Sequence, residues 1–164
     1  MDDSPESRIA AAHMQSFGYI LARLHAQMRV RMTHTLEGTG LHGGHVVLLA
    51  SLWVRLQQAQ EVREDPGLTQ TQLVQVSGVE KSSLVLFLDG LEKDGWVERR
   101  RHPTDRRAHL VYLTPSGAER FAKVGLRLFE AEQETFSVFS AEEKGQLLGL
   151  MSRLLSHVDG LNNA

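Results

Sequence analysis

The chain has no cysteine among its 164 residues. That excludes disulfides, thiolate metal sites and any sensor that works by thiol oxidation. With no disulfide chemistry, the default compartment is the cytoplasm. No apolar run is long enough to span a bilayer. The N-terminus, MDDSPESR, is too acidic and polar for a secretory signal. Also missing are a Gly-rich phosphate loop, a nucleophile motif and metal-ligand spacing, so catalysis is not expected and no cofactor is implied. There is no internal repeat and no low-complexity segment. What is present, 41% hydrophobic and 23% charged residues, suits a soluble globular chain of one domain, or of one domain plus a dimerisation element.

Charge of either sign is nearly balanced overall, at −2. It is not balanced locally. The stretch RRRHPTDRRAH, residues 99–109, holds five arginines. Residues 96–114 carry a net +3, which leaves −5 for the rest of the chain. A basic spot on an acidic body is suited to docking on a polyanion at one defined place. A solvated charged hairpin is the plainer alternative, and the surroundings decide between them.

From Met14 to Leu36 the apolar residues recur at steps of three and four, which predicts a long amphipathic helix ending near Gly38-Thr39-Gly40. His45 to Leu56 is apolar almost all round and predicts a buried central helix. Gln57 to Gly67 is polar and closes on the turn signal Asp65-Pro66-Gly67. Thr69 and Gln72 have capping-box spacing. A short helix follows, broken at Ser77-Gly78. A second helix begins near Glu80, carries Leu84, Phe87, Leu88 and Leu91, and stops at Asp94-Gly95. Two short helices around a Gly-containing turn form a helix-turn-helix. Residues 96–100 and 109–113 predict two strands joined by a turn at His102-Pro103-Thr104-Asp105. Thr114 and Pro115 open the next helix, with an apolar stripe to Ala131 or Phe136. Ser140 and Glu143 predict another capping box before a last helix with Leu147, Leu148, Met151, Leu154, Leu155 and Val158.

This order, a helix-turn-helix followed by an arginine-rich hairpin, is that of a winged helix. The second helix suits the major groove, and arginines on the hairpin suit phosphate or a narrow minor groove. The first helix and the last two have apolar sides with little in so short a chain to cover them. They predict a two-fold dimer, with an intramolecular helical cap as the alternative.

The run GWVERRRHPTDRRAHLVYLTPSG, Gly95 to Gly117, resembles the wing of the MarR family of bacterial regulators. The matching pieces are Gly95, Val97, Arg99, Asp105, Arg107, Leu113, Thr114 and Gly117. The preceding LTQTQLVQVSGVEKSSLVLFLDGLEKDG is similar to that family's helix-turn-helix. The resemblance implies a mainly α fold with a small β-hairpin wing. It also implies a homodimeric repressor or activator, repression being the expected direction, on a pseudo-palindromic double-stranded operator. Binding would be relieved by a small phenolic or other anionic effector held between dimer arms and reading head. Residues 9–40 and 115–164 would then be the helical dimerisation region, and 41–114 the winged helix-turn-helix DNA-binding region.

The residues expected to meet DNA are Thr69, Thr71, Lys81, Ser82, Ser83, Val85, Leu86, Arg99, Arg101, Asp105, Arg106 and Arg107. Asp105 is expected to hold the Arg107 guanidinium by charge-assisted hydrogen bonds, or else to form an ordinary turn ion pair. The second helix departs from the family pattern at Leu86 and Gly90, and Val79 to Gly95 has two lysines against four acids. Val85 or Leu86 can pack on thymine methyls; alternatively Leu86 is core and the helix reads sequence poorly. That weakness keeps a second function open, a winged-helix protein-interaction module with weakened DNA binding. For an effector the candidates are Arg23, Met28, Met32, His42, His45 and Trp53, near His34 and Arg31. These histidines are alternatively surface or capping groups. Zinc is disfavoured, because His42 and His45 lack i, i+4 spacing and Glu37 is the one acid nearby.

Overall fold

A computed structural model describes residues 16–105 and 107–162. These form two compact units, divided after Gly125.

In the first unit, helix α1 spans Phe17–Thr35. Ser16 caps it, its hydroxyl accepting from the Tyr19 N–H at 3.2 Å. The expected start at Met14 lies outside the described residues. The chain leaves α1 through Gly38 and Gly40, both left-handed at φ 77° and 73°, a backbone state that glycine takes without steric cost. Helix α2 spans Gly43–Val62, with His42 as N-cap. It is longer than its apolar run. The polar stretch from Gln57 to Val62 continues the helix. Gln, Ala and Glu are good helix formers, and Ala59 faces the core. Nor is α2 buried all round, since Val47 and Val54 are exposed while Val46, Leu48, Leu49 and Leu52 are buried. It ends at Arg63, the one described non-glycine residue with positive φ, at 56°.

Helix α3, Gln70–Ser77, begins with the expected capping box. The Thr69 hydroxyl accepts from the Gln72 N–H at 3.2 Å, and the Gln72 side chain accepts from the Thr69 N–H at 2.8 Å. Gly78, at φ 66°, turns the chain into α4, Lys81–Lys93. Leu84, Leu88 and Leu91 place one face of α4 in the core, where Leu48, Leu49, Leu52 and Leu73 are also buried. A Schellman motif closes α4: Gly95 N–H donates to Glu92 C=O at 3.0 Å, and Trp96 N–H to Leu91 C=O at 2.8 Å.

Three strands form the sheet. Strand β1 is only Leu68–Thr69 and has no counterpart in the sequence-based expectation. Strands β2, Val97–Arg101, and β3, His109–Leu113, form the hairpin, with Arg99 opposite Val111 and Arg101 opposite His109. Strand β1 pairs antiparallel with β3, which puts the sheet in the order β1-β3-β2. Helix α5, Pro115–Thr135, is seated on the sheet by its first turn. Thr114 Oγ1 accepts from the Gly117 N–H and donates to the Gly95 carbonyl, both at 2.8 Å. A Cβ on Gly117 would lie 2.0 Å from the Trp96 carbonyl oxygen, so only glycine fits there.

The second unit starts within α5, at Leu126, and includes α6, Ala141–Asn162. Ser140 and Glu143 form the expected capping box: Ser140 N–H donates to Glu143 at 2.8 Å, and Glu143 N–H to Ser140 Oγ at 3.3 Å. No residue of α6 is buried, and Leu148, Leu154, Leu155 and Leu161 are all exposed. In the first unit α1 is likewise without a buried residue, and Phe17, Ile20, Leu21 and Leu24 are exposed. Among the described residues no helix is long and apolar enough to cross a membrane.

Candidate nucleic-acid interface

Helix α4 has two faces. Leu84, Leu88 and Leu91 hold one in the core, and Lys81, Ser82, Val85, Leu86 and Asp89 are exposed on the rest. Leu86 is 72% exposed, so it is not a core residue. The helical wheel explains this, since a step of two residues turns about 200° and carries Leu86 away from Leu84. Ser83 is half-buried. Thr71 is exposed at the start of α3, while the Thr69 hydroxyl is engaged with both the backbone and the side chain of Gln72.

The arginines of the wing divide into distinct jobs. Arg99 turns toward α4. Its Nη1 lies 2.7 Å from Asp89 Oδ1 and 2.8 Å from Glu92 Oε2. Its backbone N–H also donates to Glu92 Oε1 at 3.1 Å. The side chain is only 19% exposed. Arg99 therefore straps β2 to α4 and pairs with two acids on that helix. Arg100 points to the other face of the strand, as alternation requires. It pairs with Glu98 and lies 4.5 Å from the centre of the Tyr112 ring. Arg101 and Arg107 are exposed, and their guanidinium groups have no partner among the described residues. Arg106 lies outside the described residues.

The expected contact between Asp105 and the Arg107 guanidinium is not formed. Asp105 Oδ1 instead accepts from the Arg107 backbone N–H at 2.9 Å, a two-residue Asx turn that leaves the guanidinium unpaired. His102 completes the turn, its Nδ1 accepting from the Asp105 N–H at 3.2 Å. The base of the wing is anchored as well. Tyr112 OH donates to Asp65 Oδ2 at 3.1 Å, and Asp65 Oδ1 accepts from the Gly67 N–H at 2.7 Å. Burial, then this hydrogen bond to Asp65, raises the Tyr112 pKa.

The six candidate effector residues do not all converge. Met32, His42 and His45 come together where α1 meets α2, and Phe87 of α4 joins them. The two imidazoles stack with centroids 3.6 Å apart. Phe87 meets them edge-on at 4.6 and 5.3 Å. The glycine pair between the histidines permits this packing. A Cβ on Gly44 would lie 2.5 Å from the Phe87 ring, and one on Gly43 would lie 3.2 Å from Met32 Sδ. His42 caps α2, its Nδ1 accepting from the Gly44 N–H at 3.2 Å. Burial, reinforced by His42, pushes the His45 pKa down to about 4, so this ring is neutral near pH 7. Its Nδ1 is buried without a hydrogen-bond partner. Trp53 lies eight residues further along α2, against Phe121 at 6.1 Å. Arg23 and Met28 are exposed on α1. The sequence marks Phe87 only as an apolar position of its helix; the signal for its second role is the HGGH run, whose glycines admit an aromatic ring. Among the described residues no three His, Asp or Glu side chains are grouped to hold a metal.

A helix-turn-helix whose following hairpin is paired into a small antiparallel sheet defines a winged helix-turn-helix protein. The MarR family model matches residues 60–109, from the end of α2 through both short helices and into the wing. A protein of Thauera aromatica named "Putative transcriptional regulatory protein for hcr operon" is 34% identical over 95 residues. That match spans 58% of this chain and 57% of the relative. The fold is shared with a mutant form of Escherichia coli MarR in complex with operator DNA. There the TM-score is 0.73 at 24% identity, covering 87% of this chain and 96% of that one. It is shared too with the PcaV transcriptional regulator of Streptomyces coelicolor in complex with its natural ligand. For PcaV the TM-score is 0.69 at 20% identity, covering 87% and 93%.

Proposed function

We propose that this chain is a homodimeric, DNA-binding transcriptional repressor whose hold on its operator is modulated by a small aromatic or anionic ligand. The observation that carries this reading is the wing. Two exposed guanidinium groups, on Arg101 and Arg107, have no described partner, and they stand on a hairpin strapped by Arg99 to the exposed face of α4. Unneutralised arginines beside a projecting helix face suit phosphate and groove contact. The complex of Escherichia coli MarR with operator DNA supports the same use of the fold.

Dimerisation is supported by the apolar sides of α1 and α6, which expose phenylalanine, isoleucine and leucine residues in the single chain. Patches of that kind ordinarily meet a partner, and a two-fold dimer would present two wings to a pseudo-palindromic site. Residues 9–40 and 115–164 would supply the dimer contacts and 41–114 the reading head. Ligand response is supported by the cluster of Met32, His42, His45 and Phe87. A neutral His45 with an unsatisfied Nδ1 can exchange a hydrogen bond with a phenol or a carboxylic acid. Phe87 belongs to α4, so a ligand entering this cluster would displace the reading helix itself. PcaV, which shares the fold, forms a complex with its natural ligand.

The test is fluorescence anisotropy with duplex DNA from upstream of the gene, with random duplex as control and salt varied. Tighter, salt-dependent binding of the upstream duplex is expected. Absence of binding to any duplex at low salt would defeat the proposal and favour a protein-interaction module.

A further inference from the structure

The exposed face of α4 has an unusual inventory. Lys81 to Lys93 contains no arginine, asparagine or glutamine. Its two lysines are its end residues. Asp89 is already bound to Arg99 at 2.7 Å. Between the ends, Val85 and Leu86 stand 40% and 72% exposed, and Gly90 leaves open space, with nothing within 4 Å of where its Cβ would be.

Each base edge in the major groove asks for a different side chain. Guanine takes arginine or lysine, adenine takes asparagine or glutamine, cytosine takes a carboxylate, and thymine offers a methyl group to apolar atoms. The middle of α4 has no side chain for the first two, and Asp89 is committed to Arg99. What remains is apolar contact.

We infer that Val85 and Leu86 read thymine methyl groups, so that methyl packing rather than base-edge hydrogen bonding sets sequence choice at the centre of the reading helix. This inference rests on the DNA-binding reading above. It accounts for an otherwise costly feature, a leucine left largely in water in the middle of a helix. That exposure is relieved when the helix enters a groove with an apolar group opposite. The Arg99 strap serves the same end, because an uncompensated Asp89 beside the methyl contact would repel phosphate.

The experiment uses the full chain. Duplexes are selected from a randomised library, and the selected sequence is remade with deoxyuridine in place of thymidine, one position at a time. Uracil pairs as thymine does and lacks only the methyl. At one or two positions in each half-site, affinity should fall roughly fourfold for each methyl removed. The variant Val85→Ala/Leu86→Ala should bind the thymine and uracil duplexes alike. If every uracil duplex binds as tightly as its parent, with the salt dependence intact, methyl reading is wrong and DNA binding stands. If the double variant keeps the full thymine preference, the assignment to these two residues is wrong. If no duplex binds at low salt, the regulator reading fails and takes this inference with it.

Discussion

Replacing Arg99 by alanine separates two roles that a wing arginine can have. In the structure Arg99 joins Asp89 at 2.7 Å and Glu92 at 2.8 Å, with its side chain 19% exposed and theirs 58% and 39%. An exposed ion pair is worth up to about 1 kcal/mol, and breaking a buried one costs about 3–5 kcal/mol. This strap lies between, nearer the exposed limit because both acids keep water. Arg99→Ala should therefore cost about 1.5 kcal/mol, or roughly 3–6 °C in Tm for a chain of this size. Urea or thermal unfolding followed by circular dichroism measures it. A cycle with Glu92→Gln should show coupling, since the second change removes one of the two carboxylates that the first leaves stranded. The DNA readout is independent. A strap that touches no phosphate should lower affinity while leaving the salt slope unchanged, whereas removing an arginine that does touch phosphate makes that slope shallower by roughly one. Unchanged stability together with a shallower slope would refute the strap and make Arg99 a DNA contact.

Three further outcomes are expected. Gly117→Ala would drive a Cβ to 2.0 Å from the Trp96 carbonyl oxygen; both groups are backbone-fixed, so a loss of about 3 kcal/mol or more is expected in denaturant titration. Arg63→Gly should stabilise by about 1 kcal/mol in the same assay, because φ 56° is left-handed and glycine adopts it without strain. His45 has its pKa lowered to about 4 in the folded chain, against 6.5 when unperturbed. Between those values the unfolded state binds more protons, so stability should fall as pH drops from 6.5 toward 4, and His45→Gln should flatten that part of the profile.

Much of the fold is legible in the sequence because its signals are local. Both capping boxes, the Gly78 turn, the Asp94-Gly95 stop and the strand β3 each declare themselves within a few residues. The parts that are not legible depend on distant partners. Strand β1 is two residues long and exists only because β3 pairs with it. The last turn and a half of α2 has few apolar residues to mark it, yet Ala59 needs only a neighbour to be core. Leu86 is within reach, since its position two residues from Leu84 already places it off the core face. The role of Arg99 is not, because it requires knowing that β2 returns alongside α4. Once that is known, Asp89 and Glu92, three apart on one helix face, are the natural partners. Asp105 shows the opposite limit: its proximity to Arg107 in sequence suggests an ion pair, and the turn uses the backbone instead.

The central claim is that the unpaired arginines of the wing hold DNA. The most direct test is the salt dependence of duplex binding by Arg101→Ala/Arg107→Ala beside the unsubstituted chain, with circular dichroism confirming an unchanged fold. Both side chains are exposed, so stability should not change by more than about 0.5 kcal/mol. Much weaker binding is expected, with a slope shallower by roughly one for each phosphate that an arginine no longer neutralises. Unchanged affinity with an unchanged slope would contradict the claim.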